Sequence, residues 1–292
     1  MPEGASKTAE YVAMFRAVES ARPGRDRLFY DPFAACFLSG RLAFGARVAG
    51  IPGGQRLITS YIDRNWPGSR PSAVIRTKLI DDAVTAAIEG GAEQLAILGA
   101  GYDTRGIRLP AAAAIPVFEL DQPPTQERKK DRLLGRDGHL PPNVTYVPFD
   151  LLEEGVGGPL ERAGFQPGLK SVFIWEGVLS YLTPEAVDQT LAWITRVGAP
   201  GSRLVYTYVD VALLKDGGEE EPPWSAQVAR VGEPFRYGLD PAKMDEFLGA
   251  RGLKPIWDMS TAEALSSGQE VKGGENAPSF YRVAEAEVLP AR

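Results

Sequence analysis

The amino-acid sequence predicts an α/β protein in which helices cover both faces of a mostly parallel, seven-stranded sheet. From residue 72 onward, short apolar runs alternate with helical stretches, as is typical of parallel strands joined by crossover helices. The chain has 292 residues, 44% of them hydrophobic, which is enough to bury the core of one large domain. Before residue 72, proline and glycine interrupt short helical pieces. We therefore predict a helical cap over residues 1–71 and a main domain over residues 72–292.

The cap begins with the helical piece SKTAEYVAMFRAVES, and a second piece, DPFAACFLSGRLAF, follows it. In the first piece the apolar side chains recur at helical spacing, at Tyr11, Met14, Phe15 and Val18. A helix with one apolar stripe cannot bury that stripe by itself. We therefore expect the cap to pack on the main domain.

The main domain opens with a long helix that is predicted to begin at Ser72, because serine favours the N-cap position. Its apolar stripe consists of Ile75, Leu79, Ala83 and Ala87. Two consecutive glycines after residue 89 are expected to end the helix.

Seven strands and the helices between them complete the main domain. The predicted strands, each a short apolar run, are residues 94–98, 115–121, 144–150, 171–176, 202–209, 253–258 and 279–286. The predicted helices between them are residues 123–135, 159–164, 184–197 and 240–251. An acidic, proline-rich stretch, KDGGEEEPPW, falls within residues 211–236, and we predict that this insertion forms a lid.

The composition excludes several classes of function. The chain has one cysteine, Cys36, and one histidine, His139, so it can form neither an internal disulfide framework nor a zinc site of His and Cys ligands. We predict no metal site. The net charge of −6 argues against a nucleic-acid partner, because duplex binding depends on a basic face. No apolar run approaches the roughly 20 residues of a membrane span and no signal peptide is recognised, so we expect a cytoplasmic protein with no membrane partner.

The charge is unevenly distributed along the chain. Residues 1–78 contain 12 Lys and Arg against 6 Asp and Glu, a net charge of +6, so residues 79–292 carry −12. One interpretation is that these basic residues are dispersed over the surface. The other is that the basic segment faces an anionic small substrate.

The stretch ILGAGYDTRG, residues 97–106, indicates a ligand-binding turn. Gly99 and Gly101 follow the first predicted strand, and folds of this class bind ligands beyond the carboxyl ends of their strands. Asp121 ends the second strand 20 residues after Gly101, where a carboxylate can accept hydrogen bonds from ribose hydroxyls. Glu119 lies on the same face of that strand. The pattern favours an adenosine-containing cofactor over a glycine turn without a ligand.

Two cofactors fit this pattern, a dinucleotide and S-adenosylmethionine. The sequence puts Asp103 where the diphosphate of a dinucleotide would lie, and a carboxylate beside two phosphates is unfavourable. S-adenosylmethionine has a sulfonium, an ammonium and one carboxylate, so an acid in the loop is compatible with it. The loop therefore favours methyl transfer. An NAD-dependent oxidoreductase is the lower alternative, and a non-catalytic nucleotide-binding sensor is a third.

Five stretches of the sequence resemble, in the same order, the S-adenosylmethionine-dependent methyltransferase family related to leucine carboxyl methyltransferase. They are AVIRTKLIDD (73–82), LGAGYDTR (98–105), FELDQP (118–123), FDLLE (149–153) and WEGVLSYLTPEAV (175–187). The N-terminal TAEYVAMFRAVES and FYDPFAACFL are similar to the same family, which includes bacterial O-methyltransferases and polyketide carboxyl O-methyltransferases. The resemblance implies a Rossmann-like class I methyltransferase fold and S-adenosyl-L-methionine as the cofactor.

The resemblance also implies which residues hold the methionine part of the cofactor. Arg76 would pair with its carboxylate, for which a guanidinium has suitable geometry. Gly99 and Gly101 would line the same part of the cofactor. The alternative for Arg76 is a structural one, the neutralisation of nearby Asp81 or Asp82.

Further roles follow from the same resemblance. Asp121 would bind the ribose, and Asp150 and Leu151 would hold the adenine through a hydrogen bond and through packing. Glu176 would lie near the cofactor's ammonium. Apart from the resemblance, Tyr181 is a candidate for contact with the substrate, and a position in the core is its structural alternative. The structural alternative for Asp150 is an N-cap for the segment that follows it.

The single histidine bears on which atom is methylated. His139 lies in the turn-like stretch RDGHLPPN, so we interpret it as a loop residue and not as a general base. Methylation of a phenol or alcohol benefits from such a base, whereas a carboxylate is already ionised at pH 7. We therefore predict methylation of a small-molecule carboxylate, in a pocket formed by the cap and the 211–236 insertion. Methylation of a hydroxyl group with Asp, Glu or Tyr as base is the alternative, and no catalytic residue is assigned.

Overall fold

The computed structural model describes residues 5–149, 157–215, 235–267 and 277–290. The N-terminal part of the described chain is helical. Its elements are α1 (Lys7–Ser20), a 3-10 turn (Ala34–Phe37), α2 (Gly40–Ala49), α3 (Gly54–Asn65) and the long α4 (Ser69–Glu89).

The main domain is built on one seven-stranded sheet. Its strands are β1 (Gln94–Leu98), β2 (Val117–Asp121), β3 (Val144–Pro148), β4 (Ser171–Trp175), β5 (Arg203–Val209), β6 (Leu253–Ser260) and β7 (Tyr281–Val288). The order across the sheet is β3-β2-β1-β4-β5-β7-β6. The first five strands run parallel, and β7 lies antiparallel between β5 and β6. The predicted fold class is confirmed.

The remaining helices connect these strands. They are α5 (Arg105–Arg108), α6 (Pro110–Ala113), α7 (Pro123–Asp137), α8 (Gly157–Arg162), α9 (Pro184–Val197), α10 (Ala212–Lys215), α11 (Met244–Gly249) and α12 (Thr261–Ser266). The long α7 and α9 agree with the predicted helices to within two residues at each end.

Alternate residues of each strand pack on opposite faces of the sheet, as the two-residue period of a strand requires. In β1, Leu95 and Ile97 belong to the core that α4 covers. Ala96 and Leu98 belong to the core that α9 covers. All four side chains are fully or almost fully buried, which explains why the strand is a continuous apolar run in the sequence.

The cap packs directly on the main domain. Its apolar core includes Tyr102 from the glycine turn after β1 and Leu133 from α7. The ring of Phe37 stacks on the ring of Tyr102, with 4.8 Å between centroids and an interplanar angle of 3°. Of the apolar stripe predicted for α1, Tyr11 is 39% exposed and the other three residues are buried. The cap therefore lies against the turn where the sequence predicts ligand binding.

Helix α4 begins one turn earlier than predicted, so the prediction of Ser72 as its N-cap is wrong. The helix starts at Ser69, after Gly68 in a left-handed conformation with a φ of 82°. Pro71 is compatible with this start because the first turn of a helix leaves its N–H groups without intrahelical partners. The predicted division into cap and main domain stays a prediction, and α4 runs across its boundary.

The strand order reverses between β1 and β4. The chain leaves β1 toward β2 on one side and returns from β3 to β4 on the other. Such a reversal opens a crevice at the carboxyl ends of the two central strands. A ligand-binding site is therefore expected in this crevice.

Part of the predicted lid lies outside the described residues. Of the insertion at 211–236, only residues 211–215 and 235–236 are described. Within the described ranges, none of the helices combines the length and the apolar character needed to cross a bilayer.

Candidate functional site

The glycine turn after β1 lies at the centre of the crevice, and the protein itself requires both glycines. Gly99 has a φ of 70°, and a Cβ atom there would lie 2.3 Å from Cγ2 of Val178. Gly101 has a φ of 49°, and a Cβ atom there would lie 3.2 Å from the Cβ of Ala9 in α1. The segment after β4 and the first turn of α1 thus approach the turn from two sides. A side chain at Gly99 would overlap Val178, and one at Gly101 would be disfavoured by its positive φ and by the close approach of Ala9.

Asp121 lies beside this turn, at the end of β2. Its carboxylate accepts a hydrogen bond from the backbone N–H of Gly101 and another, at 2.6 Å, from that of Gln122. The side chain is half-buried. The structure therefore brings Gly101 and Asp121 together, in the place where the sequence predicts the ribose of a cofactor.

Arg76 and Glu176 meet on the other side of the turn. Arg76 comes from α4, Glu176 follows β4, and Nε of the arginine donates to Oε1 of the glutamate at 2.6 Å. Both side chains are largely buried. Burial raises the pKa of Glu176, but the charges of Arg105 and Arg76 outweigh burial and lower the pKa to about 2. Glu176 is therefore an anion throughout the neutral range, and its ion pair with Arg76 uses Nε of the guanidinium.

Arg76 does not neutralise Asp81 or Asp82, which was its structural alternative. Asp81 accepts hydrogen bonds from Arg105 and Arg108, and Asp82 accepts from Lys78. Arg76 instead lies over the ring of Tyr281, with 5.1 Å between its Cζ and the ring centroid.

Arg105 connects the two predicted site residues to the rest of the protein. Its Nη1 donates to Oε2 of Glu176 at 2.6 Å and to a carboxylate oxygen of Asp103. Its Nε donates to Asp81 at 2.8 Å. The side chain is 3% exposed, and burial lowers its pKa while the three carboxylates raise it well above its ordinary value. Sequence reasoning did not select Arg105, although its two-residue spacing from Asp103 was a usable signal.

Asp103 has a different role from the one expected. From the sequence, its charge is expected to face the bound ligand. In the structure its two carboxylate oxygens accept hydrogen bonds from the backbone and from the side chain of Arg105, and it is 9% exposed. The acid in the loop is therefore neutralised inside the protein.

The charged cluster extends from Arg105 into the cap. Asp81 also binds Arg108, and Thr104 donates to Asp31 at 2.7 Å. Arg16 of α1 donates to Asp31 at 2.8 Å and to the backbone carbonyl of Tyr102. The cluster contains four arginines and four carboxylates: Arg16, Arg76, Arg105, Arg108, Asp31, Asp81, Asp103 and Glu176. Its formal charge is zero, so burying it leaves no net charge unpaired.

The basic character of the N-terminal segment has a partly internal explanation. Four of its 12 basic side chains are buried and pair with carboxylates. They are Arg16, Arg22, Arg70 and Arg76. These charges are compensated within the protein, so they do not form a field that attracts an anionic substrate.

Glu119, the second acid of β2, faces α7 and not the turn. Nζ of Lys129 donates to its Oε2, and both side chains are almost fully buried. Burial raises the pKa of Glu119 more than Lys129 lowers it, and the result is about 7. Glu119 is therefore a buried hydrogen-bond partner of Lys129 beside the site.

Tyr281 and Thr207 lie next to Glu176. The backbone N–H of Gly177 donates to the Thr207 hydroxyl at 2.8 Å, and that hydroxyl lies 3.3 Å from the Tyr281 hydroxyl. Sequence reasoning did not select Tyr281, because its strand is distant in the sequence and joins the sheet antiparallel to β5. The pair adds two hydroxyl groups to the β4 end of the crevice.

The other predicted site residues lie in different positions. Tyr181 follows β4 in a 3-10 turn and stacks on Phe235, with 5.7 Å between ring centroids. Asp150 and Leu151, predicted to hold an adenine, lie outside the described residues. No group of three or more His, Cys, Asp or Glu side chains is arranged to hold a metal ion in the part of the chain that the structure describes.

His139 lies toward the amino ends of the parallel strands, whereas the crevice lies at their carboxyl ends. It follows the end of α7 and precedes β3, so it is close to the amino ends of the parallel strands. The ring is exposed, and Nδ1 lies 2.9 Å from the backbone carbonyl of Asp137. The only histidine of the chain is therefore remote from the glycine turn.

Known proteins are similar to this chain in sequence and in fold. The pattern of the family described as Leucine carboxyl methyltransferase matches residues 9–195. A protein of Mycolicibacterium gilvum (strain PYR-GCK) is 33% identical over 285 residues, covering 94% of this chain and 85% of its own. One from Mycobacterium sp. (strain KMS) is 34% identical over 297 residues, covering 94% and 91%. Both have the provisional name S-adenosyl-L-methionine-dependent methyltransferase.

A solved structure from Thermobifida fusca YX, described provisionally as a methyltransferase, resembles this fold. The two superpose with a TM-score of 0.58 at 20% identity, over 94% of this chain and 97% of the other. At that identity the likeness supports the fold.

Proposed function

Because the chain belongs to the leucine carboxyl methyltransferase family, we propose that it transfers a methyl group from S-adenosyl-L-methionine to a carboxylate oxygen of a small molecule. The predictions of the family, of methyltransferase activity and of the cofactor are confirmed. Membership of this family argues against the NAD-dependent alternative.

The residues of the crevice fit the cofactor. The Nη groups of Arg76 are available to pair with the methionine carboxylate, since Nε already binds Glu176. Glu176 is ionised and near the turn, so it can attract the ammonium. Asp121, at the end of β2, can exchange the Gly101 N–H for ribose hydroxyls. These assignments support a cofactor with its charged end at β4 and its nucleoside at β2.

The observation that favours a carboxylate acceptor is the lack of a free base at the β4 end of the crevice, within the described residues. Glu176 and Asp103 each bind arginine. The single histidine lies toward the amino ends of the strands, away from the crevice. A carboxylate needs no base, because it is already the nucleophile at pH 7. S-adenosyl-L-methionine, when bound, would supply an electrophilic methyl group to this nucleophile, with the O–CH3 bond replacing the S–CH3 bond and the electron pair left on sulfur.

The chain's contribution to this reaction is positioning and exclusion of water. The reaction neutralises a sulfonium and a carboxylate, so it is favoured when bulk water no longer solvates the separate charges. Helix α1 covers the glycine turn through Ala9. The backbone N–H of Ser6, just before this helix, donates a hydrogen bond to the Thr125 hydroxyl in α7. An acceptor held in line with the methyl group gains further acceleration from its orientation.

Methylation of a hydroxyl is the second candidate, and Tyr281 is the observation that favours it. Its hydroxyl lies next to Gly177 and bonds to Thr207, so a hydroxyl acceptor there would meet a polar partner. Aromatic acids that carry both a carboxyl and a phenol separate the two candidates within one molecule. We expect a base-labile methyl ester, with a turnover rate that changes little between pH 6 and pH 8. A stable ether, formed at a rate that increases with pH, would contradict the carboxylate proposal.

The matched control is His139→Ala, which alters the only histidine of the chain. We expect this variant to keep the rate and the pH profile of the unchanged protein, because the residue lies toward the amino ends of the strands, away from the crevice. Loss of activity in this variant would reopen the assignment of a histidine base.

A further inference from the structure

We propose that Arg105 is a positioning residue for the charged end of the cofactor: it fixes Glu176, and through Glu176 it orients Arg76. The proposal rests on the cofactor roles proposed above for Glu176 and Arg76. In this proposal Arg105 does not contact the cofactor itself. Its effect is to decide where the anion and the cation of the site point.

The geometry of the three side chains carries this proposal. Glu176 uses one carboxylate oxygen for each arginine, Oε1 for Nε of Arg76 and Oε2 for Nη1 of Arg105. Both contacts are 2.6 Å long. A carboxylate held at both oxygens cannot rotate about its terminal bond without breaking one of these contacts. The plane of the carboxylate, and with it the direction of the Arg76 fork, is therefore set by Arg105.

Arg105 makes ion pairs with three carboxylates, more ion pairs than either residue it positions makes among the described residues. Asp103 binds its Nη1, Asp81 binds its Nε at 2.8 Å, and the side chain is 3% exposed. Its helix, α5, starts directly after the glycine turn. The orientation of Glu176 is thus tied to the same turn that contacts the cofactor, although the two residues are 71 positions apart in the sequence.

Arg108 provides the internal comparison that separates positioning from simple stabilisation. It lies one turn further along α5, its side chain is equally buried, and it binds the same Asp81. Its other contacts are to Thr104, to Asp31 and to the ring of Phe29. Arg108 therefore shares the burial and the stabilising partner of Arg105 but makes no contact with Glu176.

The test compares Arg105→Gln with Arg108→Gln in the full-length protein. Calorimetry would measure the affinity for S-adenosylhomocysteine, which has the amino-acid end, and for 5′-methylthioadenosine, which lacks it. We expect Arg105→Gln to weaken S-adenosylhomocysteine binding at least tenfold and methylthioadenosine binding less than threefold. Arg108→Gln should change both affinities less than threefold. Equal weakening of both ligands by Arg105→Gln would overturn the proposal, because it would indicate general disruption of the site.

A pH profile gives a second readout. In the unchanged protein Glu176 faces Arg76 from α4 and Arg105 from α5, with Tyr281 of β7 behind Arg76. Without Arg105 the pKa of Glu176 rises, so the affinity of Arg105→Gln for S-adenosylhomocysteine should fall between pH 7 and pH 5. The unchanged protein and Arg108→Gln should show no such loss. A flat profile for Arg105→Gln would count against the proposal.

If Arg105→Gln does not fold, Arg105→Lys keeps the charge but not the planar fork, and a double-mutant cycle replaces the single variant. Its effect on binding should be non-additive with that of Glu176→Gln, whereas that of Arg108→Lys should be additive. Additive behaviour in both cycles would overturn the proposal. A failure of Glu176→Gln itself to alter binding would instead contradict the proposed cofactor role of Glu176.

Discussion

The two sides of the crevice treat buried carboxylates in opposite ways. On the β4 side, Glu176 lies between two arginines, and the pKa falls to about 2 because their charges outweigh burial. On the β2 side, Glu119 is more deeply buried and has one cation, Lys129, so burial dominates and the pKa rises to about 7. The number of cations and the degree of burial together decide whether a buried acid keeps its charge at neutral pH.

This difference corresponds to the two ends of the cofactor as we place them. The amino-acid end is charged and is proposed to bind at the β4 side, where the charges of the protein are fixed. The nucleoside is uncharged and is proposed to bind at the β2 side, where Asp121 offers hydrogen bonds and Glu119 faces away. A fixed set of charges beside a charged group avoids protonation changes when the ligand binds.

The largest expected effect comes from breaking the β4 side. Glu176→Gln leaves Arg76 and Arg105 without a shared anion, and removing one partner of a buried ion pair costs about 3–5 kcal/mol. We expect the free energy of unfolding to fall by about this amount and S-adenosylhomocysteine binding to weaken strongly. Chemical denaturation and calorimetry would measure the two quantities.

The matched control removes the whole pair on the β2 side. The double variant Glu119→Leu, Lys129→Met replaces the whole buried pair by apolar side chains, and such replacements are often neutral or stabilising. Its free energy of unfolding should stay within about 1 kcal/mol of the unchanged protein, with cofactor binding retained. If this double variant destabilised the protein as much as Glu176→Gln, the two sides would not differ as described.

The second prediction is an opposite pH dependence of stability. Folded Glu119 keeps its proton up to about pH 7, whereas the unfolded chain loses it near 4.5, so its contribution to stability decreases as the pH rises between these values. The change is on the order of 3 kcal/mol. Glu176 contributes stability that is present above 4.5 and is lost as the pH falls toward about 2. Subtracting the unfolding curves of Glu119→Gln and Glu176→Gln from that of the unchanged protein would show the two slopes.

A smaller difference is expected between the glycines of the turn. At Gly99 an added Cβ would lie 2.3 Å from Cγ2 of Val178, at a φ of 70°, so Gly99→Ala should cost about 1–3 kcal/mol. At Gly101 the nearest atom would be 3.2 Å away, on Ala9, and about 1 kcal/mol is expected. Thermal unfolding would compare the two. Val178→Ala should restore part of the loss in Gly99→Ala and none in Gly101→Ala, and equal recovery would contradict the assigned contact.

The sequence predicts the strands and the paired ends of the site, but not the charged cluster between them. Gly101 and Asp121 were recognisable because a strand-turn-helix pattern puts residues 20 positions apart at one sheet edge. Arg76 and Glu176 were assigned through a resemblance, and their contact joins residues 100 positions apart. Such a contact depends on how α4 packs beside β4, which local periodicity does not encode.

Asp103 and Arg105 show where sequence reasoning reached a correct conclusion from a wrong premise. An acid in the turn favoured a cationic cofactor because its charge was expected to face the ligand. In the structure Arg105, two residues later, takes both carboxylate oxygens. Whether a charged residue in a sequence presents its charge to a ligand therefore depends on the buried residues that pair with it.

The smallest expected effect concerns the hydroxyl of Tyr281 on the β4 side. Tyr281→Phe keeps the ring beneath Arg76 and removes only the contact with Thr207, so S-adenosylhomocysteine binding should change less than threefold. Tyr206→Phe, which removes a buried hydroxyl that has no hydrogen-bond partner among the described residues, is the control. With a carboxylate acceptor, both variants should retain most of the turnover rate. A loss of two orders of magnitude in Tyr281→Phe alone, with unchanged cofactor binding, would make Tyr281 a general base or acceptor ligand and would move the assignment to a hydroxyl acceptor.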